Sequence, residues 1–248
     1  MPFPWRTQRT QSINIDGSVI PKSLHFLWGF LGDDGPLAER EQANFNRWES
    51  LNPDWDLSVH NPRTISAVAE DHPYQAIYDE VPTAIQRCDL ARPFLLEKYG
   101  GVYSDLDVDP FQNLNRLSNL FPHASVLLIE EVTLTRGSSL RRGKRHAVRQ
   151  GRPELRLRVA NFWMASVPGH PFWQDVMDLV QERADIPIQD DYDVIYTTGP
   201  DIISEVYHRT QQKYQDVALV PRSLARKFFR HRTHGSWRVN ESGQRWVA

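Results

Sequence analysis

The chain has 248 residues, of which 40% are apolar and 11% aromatic, which is enough for a hydrophobic core and excludes wholesale disorder. The sequence contains no run of about 18 apolar residues, so it predicts no membrane-spanning helix. The N-terminus lacks the apolar centre of a secretory signal. The single cysteine, Cys88, excludes an internal disulfide and a cysteine-rich zinc site. We therefore expect a cytoplasmic protein.

The net charge of −2 conceals an uneven distribution. Residues 1–135 contain 10 Lys/Arg and 19 Asp/Glu, and residues 159–248 contain 10 Lys/Arg and 11 Asp/Glu. Between them, residues 136–158 contain nine Lys/Arg and one Glu. The aperiodic middle segment is predicted to be an exposed basic insertion, and residues 222–232 add five basic groups without an acid. The insertion is either a solvated loop or a surface that attracts an anionic acceptor, a membrane or a diphosphate.

Strands and helices are predicted to alternate along the chain. After a loose tail over residues 1–19, the predicted elements are a strand at Ser23–Trp28, a helix after Pro36, a strand at Trp55–His60, short helices over 63–80, a long helix from Pro82 to the Gly100-Gly101 turn, strands at Val102–Val108, Ser125–Ile129 and Val159–Ser166, helices at Pro171–Arg183 and Gly199–Tyr214, and a strand at Val217–Val220. This order predicts one α/β domain over residues 20–248, with a mostly parallel central sheet flanked by helices.

Proline interrupts the long helix before the glycine turn. Pro93 removes the amide that would bond the carbonyl of Asp89, and it disfavours helical geometry at Arg92. We therefore predict a kink or an early end of the helix at this point.

Two aspartates lie near the end of the next predicted strand. Because side chains alternate along a strand, Asp105 and Asp107 are predicted to project to the same side, about 7 Å apart. Such carboxylates repel each other unless a cation lies close, and Mg²⁺ and Mn²⁺ both bind carboxylate oxygens. The spacing predicts a divalent metal site, and a solvated turn is the alternative.

A longer pattern surrounds these aspartates. It consists of Asp89-Leu90-Ala91-Arg92, then Lys98-Tyr99-Gly100-Gly101-Val102-Tyr103, then Asp105-Leu106-Asp107. In this pattern the sequence resembles the DXD-motif glycosyltransferases of the glycosyltransferase family 32 type, which include mannosyltransferases and capsular polysaccharide enzymes, and more distantly the catalytic domains of clostridial glucosylating toxins. Further similar segments are Leu24–Trp28, Asn161, 165–171, Thr198-Gly199-Pro200 and His234-Gly235-Ser236-Trp237.

The resemblance implies a GT-A-like fold, a nucleotide-sugar donor, a divalent metal and a transfer that retains the anomeric configuration. On the matching positions, Asp107 would ligate the metal, Asp105 would contact the donor ribose and the metal, and Tyr103 would line the nucleotide pocket. Asp89 and Arg92 would hold the sugar and phosphate side of the donor. As residues i and i+3 of a helix, these two also fit an ordinary ion pair.

Three further positions have both a donor-site and a structural interpretation. Trp28 is predicted to stack on the donor base, with core packing as the alternative. Asn161 is predicted to contact the donor sugar, and a hydrogen bond within the fold is its alternative. The segment 198–201 precedes a helix, so its amides either face the pocket or belong to the helix cap.

The C-terminal element would complete the site on the same resemblance. His234 is the predicted metal ligand and His231 is a competing candidate, and an imidazole ligand favours Mn²⁺ over Mg²⁺. Ser236 would bind the metal or a phosphate, and Trp237 would close over the diphosphate.

The predicted function is a metal-dependent retaining glycosyltransferase that moves a hexose from a UDP- or GDP-sugar to a saccharide, lipid-linked or protein acceptor. The sequence offers no unambiguous carboxylate nucleophile for a double displacement, and the resemblance implies a front-face route. The alternatives are a non-catalytic nucleotide-sugar-binding module and, least favoured, a metal-dependent nucleic-acid-binding protein that uses the basic insertion. We also expect peripheral membrane contact through the basic segments.

Overall fold

A computed structural model of the chain describes residues 19–32, 35–70, 72–133 and 157–232. The predicted loose tail up to residue 18, residues 136–156 of the basic insertion, and the site candidates His234, Ser236 and Trp237 lie outside the described residues. Among the described helices, none is long and apolar enough to cross a bilayer.

Strands and helices alternate through most of the described chain. The strands are β1 (Ser23–Leu27), β2 (Asp56–His60), β3 (Gly101–Ser104), β4 (Val108–Pro110), β5 (Val126–Thr133), β6 (Leu157–Val159), β7 (Trp163–Ser166), β8 (Val217–Val220) and β9 (Phe229–His231). The helices are α1 (Glu39–Leu51), α2 (Pro62–Ala69), α3 (Gln75–Glu80), α4 (Ala84–Tyr99), α5 (Leu114–Ser118), α6 (Phe172–Glu182), α7 (Asp191–Thr197), α8 (Pro200–Thr210) and α9 (Arg222–Ala225).

The central sheet has the strand order β2-β1-β3-β7-β5-β6, and β8 pairs with β5. The pairs β1–β2, β1–β3 and β5–β8 are parallel, whereas β3–β7, β5–β7 and β5–β6 are antiparallel. The predicted α/β class with flanking helices is confirmed, but the sheet is mixed rather than mostly parallel. The reason is that β7 lies between β3 and β5 and runs against both.

Alternating side chains of the sheet contribute to two hydrophobic cores, one on each face. Tyr103 of β3 joins the core that contains Leu90 and Phe94 of α4. Its neighbour Val102 joins the opposite core, with Trp48 of α1 and Trp163 of β7. A short ribbon, β4 paired with β9, lies beside the second core.

Helix α4 continues through Pro93 to Tyr99, so the predicted break at this proline is wrong. A proline inside a helix costs about 3 kcal/mol. The residues around it, Leu90 and Phe94 among them, are fully buried in the core. Burying a large apolar side chain stabilises by about 1.5–3 kcal/mol, so packing along α4 outweighs the local preference of the proline.

The glycine turn after α4 packs directly against β1. Gly101 has a φ of 83°, and a Cβ atom there would lie 2.2 Å from the Ser23 Oγ and 2.5 Å from the Ser23 carbonyl oxygen. Only glycine allows both this backbone conformation and this close approach. The turn therefore sets the start of β3 beside β1 and directs the chain toward the two aspartates.

A buried histidine also joins β1 to this turn. The Nε2 atom of His25 lies 3.2 Å from the carbonyl oxygen of Gly100, which can only accept, so Nε2 carries the hydrogen. The Nδ1 atom of His25 therefore accepts from Nε2 of His60 at 3.0 Å. Burial, together with the charge of His60, lowers the pKa of His25 to about 4.

Candidate metal and donor site

The two aspartates of the D-x-D motif lie in a turn at the end of β3. The strand ends at Ser104, and the amide of Val108 donates to the carbonyl of Asp105 at 3.1 Å to close the turn. The prediction of one strand through Val108 is therefore wrong. After the turn, β4 pairs with β9 rather than with the central sheet, so the chain must leave the sheet after Ser104.

The β4–β9 ribbon brings a histidine to the aspartates. Val108 lies opposite His231, and the amide of Arg232 donates to the carbonyl of Asp107 at 3.1 Å. The Nε2 atom of His231 is 3.3 Å from Oδ1 of Asp107. Ligand atoms of Asp105, Asp107 and His231 all lie within 4.8 Å of one another. Of the two candidate histidines, the structure groups His231 with the aspartates, whereas His234 lies outside the described residues.

A buried carboxylate paired with two arginines fixes the ribbon itself. Asp109 of β4 is 1% exposed and accepts from Nε of Arg232 at 2.6 Å and from Arg230 at 3.1 Å. Burial would raise the pKa of Asp109, but the two arginines together hold it below its usual value. Part of the basic 222–232 stretch thus has a structural role, because it holds β9 and therefore His231 in place.

Arg92 joins the two acidic parts of the motif. Its guanidinium donates to Asp89, one helical turn away, and to Oδ1 of Asp105 at 3.2 Å. Tyr103 donates its hydroxyl hydrogen to the same Asp105 oxygen at 2.5 Å, and its ring centroid lies 5.3 Å from the Arg92 guanidinium carbon. Arg92 is buried, whereas about a quarter of the Asp105 side chain (24%) stays exposed. Asp105 is therefore held from inside the fold and open to a ligand on the other side.

Asp89 collects donors from three parts of the chain. Besides Arg92, Asn161 donates to its Oδ1 and Thr198 to its Oδ2, each at 3.0 Å. Asn161 does not lie in a continuous strand as predicted, because β6 ends at Val159 and β7 begins at Trp163. The predicted donor-sugar contact of Asn161 stays a prediction, and its amide is hydrogen-bonded within the fold.

Burial dominates the electrostatics of this cluster. Burial raises the pKa of Asp89 to about 6 even though Arg92 opposes the shift. The pKa of Asp105 is also raised by burial, again against Arg92. Burial would lower the pKa of Arg92, but the carboxylates of Asp105 and Asp89 raise it well above its usual value. The arginine is therefore a permanent cation between two carboxylates that are costly to ionise.

The donor set at the turn fits a divalent metal. Two carboxylates and one imidazole, partly exposed and within 4.8 Å of one another, match the ligand chemistry of Mn²⁺ and, less well, of Mg²⁺. Burial would lower the pKa of His231, but Asp107 and the charge of Asp105 raise it above its usual value. The same negative field that attracts a proton to His231 would attract a cation.

Two further residues from the sequence predictions, Trp28 and Arg158, have described positions outside this cluster. Trp28 follows β1, and since His25 lies opposite Tyr103 in the parallel β1–β3 pair, the chain ends of both strands reach this edge. The indole nitrogen of Trp28 donates to the carbonyl of Gly35 at 3.0 Å. Arg158, the last residue of the predicted basic insertion, belongs to β6 and pairs with Asp201 at 3.1 Å.

Residues 38–126 match the family described as "Glycosyltransferase sugar-binding region containing DXD motif". This range contains the D-x-x-R helix, the glycine turn and both aspartates. This part of the chain therefore matches the sugar-binding region of DXD-type glycosyltransferases. The resemblance predicted from the sequence pattern is thereby confirmed.

Curated fungal proteins are similar over parts of their length. Inositol phosphoceramide mannosyltransferase 3 of Schizosaccharomyces pombe is 31% identical over 102 residues, which cover 40% of this chain and 28% of that protein. Inositol phosphoceramide mannosyltransferase 2 of the same yeast is 25% identical over 214 residues, which cover 85% of this chain and 53% of that protein. The matches thus span at most about half of these relatives.

Solved structures agree in fold. The PaToxG glycosyltransferase superposes with a TM-score of 0.55 at 16% identity. The match covers 77% of this chain and 69% of the PaToxG chain. The catalytic domain of alpha-toxin from Clostridium novyi gives a TM-score of 0.52 at 11% identity, with coverages of 91% and 81%. The predicted GT-A-like fold is confirmed at this level.

Sequence reasoning missed the side chain of Thr198. In the sequence, the Thr198-Gly199-Pro200 segment precedes a predicted helix, and this position predicts a role for its backbone amides only. Helix α8 does begin at Pro200, and the hydroxyl of Thr198 reaches Asp89 from there. No local pattern links these two residues, because α4 and α7 meet only in the folded chain.

Proposed function

We propose that this protein is a metal-dependent glycosyltransferase that transfers a hexose from a nucleotide-sugar donor with retention of the anomeric configuration. The observation that carries the proposal is the group of Asp105, Asp107 and His231, whose ligand atoms lie within 4.8 Å of one another and whose two aspartates lie inside the matched sugar-binding region. The names of the two fungal relatives favour mannose as the sugar and a glycolipid as the acceptor.

Asp105, Asp107 and His231 would hold the ion, with Mn²⁺ preferred because of the imidazole. A divalent ion bound there would offset the charge that develops on the leaving nucleoside diphosphate. Arg92 would add a fixed positive charge behind Asp105. Its Nε atom is buried and has no hydrogen-bond partner among the described residues, which supports an additional contact with the donor.

Several side chains that the structure describes would position the donor. We propose that Asp89 and Asn161 face the sugar hydroxyls and that Trp28 stacks on the base. Ser236 and Trp237 of the C-terminal element would close on the diphosphate. Groups held in place before the donor arrives lose little freedom on binding, which lowers the barrier for transfer.

Retention is proposed to follow a front-face route. A double displacement needs a carboxylate that is available to attack the anomeric carbon. The carboxylate of Asp89 accepts from Arg92, Asn161 and Thr198, so it is occupied by hydrogen bonds. Asp105 is similarly occupied by Arg92 and Tyr103. The acceptor hydroxyl would then attack on the side from which the diphosphate leaves.

The exposed cations near the ribbon support an anionic acceptor or an anionic membrane surface. Arg222, Arg226 and Lys227 are exposed on and just after α9, which leads directly into β9. Arg230 of β9 is also exposed, next to His231 in the sequence. This rim would attract an acceptor that carries phosphate, and it would act together with the basic insertion.

The test is donor hydrolysis and transfer with purified protein. Release of UDP or GDP is measured with and without Mn²⁺ over UDP-glucose, UDP-galactose, UDP-N-acetylhexosamine and GDP-mannose. We expect release with one base class, its loss in Asp107→Asn, and no change in Asp79→Asn, an exposed carboxylate on α3. Proton NMR of the product gives the anomeric configuration.

The outcomes separate the alternatives. Donor binding without release would indicate a nucleotide-sugar-binding module. Salt-sensitive nucleic-acid binding without donor affinity would indicate a metal-dependent nucleic-acid-binding protein. An inverted product would contradict the retaining route alone.

A further inference from the structure

Two side chains of α1 reach the backbone of the D-x-D turn. The Nδ2 atom of Asn44 donates to the carbonyl oxygens of Leu106 at 2.7 Å and of Val108 at 2.8 Å. The indole nitrogen of Trp48, one helical turn later, donates to the same Val108 oxygen at 3.0 Å. Both carbonyls are next to Asp107 in the sequence, one on each side.

These bonds complete the hydrogen bonding of the turn. The carbonyl of Asp105 accepts from Val108, and the carbonyl of Asp107 accepts from Arg232, each at 3.1 Å. With the two bonds from Asn44, every carbonyl from residue 105 to residue 108 has a donor. The peptide groups on both sides of Asp107 are therefore fixed in direction.

The orientation of the Asn44 amide follows from its partners. Both acceptors are carbonyl oxygens, so only the NH₂ group can face them. Asn44 is 4% exposed, and its Oδ1 atom has no hydrogen-bond partner in the described part of the chain. A buried amide with one unsatisfied atom is a costly way to stabilise a helix. What this amide supplies is a double restraint on the turn.

We propose that Asn44 is a positioning residue for the metal centre, because it fixes the backbone on both sides of Asp107 and so presets the distance between the Asp107 carboxylate and its partners Asp105 and His231. This inference rests on the proposed metal site. Metal ions require ligand positions within a few tenths of an ångström, and side chains that orient the ligands typically change metal affinity by about 10–100-fold. Trp48 contributes a weaker restraint through a single bond.

The same helix offers a matched control. Asn52 is also buried, and its side chain donates to the carbonyl of Trp48 at 2.8 Å and accepts from the amide of Leu114 at 2.7 Å. It makes as many backbone bonds as Asn44, but neither reaches the D-x-D turn. Loss of Asn52 therefore measures a stability effect without a direct effect on Asp107.

The experiment titrates Mn²⁺ alone into the full chain and follows the free ion by electron paramagnetic resonance. We expect Asn44→Leu to weaken Mn²⁺ binding by about 10–100-fold, with a folded circular dichroism spectrum. Asn44→Ser keeps one hydroxyl donor and is expected to weaken binding by a smaller factor. Asn52→Leu is expected to lower the melting temperature but to keep the Mn²⁺ affinity within about threefold of wild type, because neither of its side-chain bonds reaches the D-x-D turn.

Each result has a distinct meaning. Unchanged affinity in Asn44→Leu, or an equal loss in Asn52→Leu, overturns the positioning role and leaves the proposed function standing. If Asn44→Leu does not fold, Asn44→Ser decides in the same way, since unchanged affinity there refutes the restraint. A wild-type chain that binds no Mn²⁺ overturns both the metal centre and the role of Asn44.

Discussion

Arg92 neutralises the buried carboxylate of Asp89 and the partly exposed carboxylate of Asp105, so its removal is expected to destabilise the whole fold. In Arg92→Met, Asp89 and Asp105 lose the cation that bonds both of them. Breaking a buried ion pair by removing one partner costs about 3–5 kcal/mol. For a chain of this length, 1 kcal/mol corresponds to about 2–4 °C in melting temperature, which predicts a drop of roughly 10 °C.

The loss is also expected to depend on pH. Without the cation, the pKa of the buried Asp89 would rise further above its present value near 6. When folding raises the pKa of a carboxyl group, the folded protein loses stability as pH rises, because the group ionises more easily in the unfolded state. The deficit of Arg92→Met should therefore be larger at pH 8 than at pH 5, where protonation relieves it.

Calorimetric melting of wild type, Arg92→Met and Arg87→Met at both pH values measures the effect. Arg87 lies on the same helix but is exposed, so its replacement is expected to change stability by less than about 0.5 kcal/mol. A melting temperature of Arg92→Met equal to that of Arg87→Met would refute the reasoning. An equal deficit at both pH values would assign the loss to packing rather than charge.

Three further predictions concern other parts of the fold. Because folding lowers the pKa of His25 from 6.5 to about 4, stability should fall by roughly 3 kcal/mol as pH drops through this window and then level off, as measured by urea unfolding. Gly101→Ala should cost at least about 2 kcal/mol in the same assay, because strain at positive φ is added to overlap with Ser23. Thr198→Val should cost about 1–3 kcal/mol, because it removes a bond to the buried Asp89 carboxylate, and should weaken donor binding in calorimetry.

Matched variants isolate each cause. His25→Gln has no titrating ring, so persistence of the full pH effect in that variant would contradict the assignment. Gly32 also has a positive φ, 99°, but a Cβ atom there meets nothing within 4 Å. Equal costs for Gly32→Ala and Gly101→Ala would show that the close approach to β1 is unimportant. Thr198→Ser keeps the hydroxyl and Thr198→Val keeps a methyl group, so a loss in the serine variant as large as that in the valine variant would show that the hydroxyl bond is not the main contribution of Thr198.

The hydrophobic patterns predicted most elements well because packing and local preference agree there. The strand at 23–28, the helix after Pro36 and the paired short helices before Pro82 all appear with small shifts at their ends. Pro93 is the exception. Its local effect predicts a break, but residues 88–96 of the helix are buried and the helix continues.

The candidate site was predictable in composition but less so in geometry. The D-x-D motif and the D-x-x-R pair are local patterns, so the sequence shows them directly. Whether Asp105 and Asp107 lie on a strand or in a turn depends on β9, which pairs with β4 from far along the chain. Asn44 left only a weak signal, as a polar residue one helical turn before Trp48 on an otherwise apolar stripe.

By itself, the sequence determined the class of fold, the acidic motif and the resemblance to DXD-type glycosyltransferases, because these depend on periodicity and on short spacings. The tertiary structure alone placed His231 beside the aspartates and showed which described side chains hold them. His231 reaches Asp107 only because β4 pairs with β9, and Asp89 meets Asn161 and Thr198 only because separate loops converge on α4. Contacts between distant segments arise from packing of the whole chain, and no local pattern encodes them.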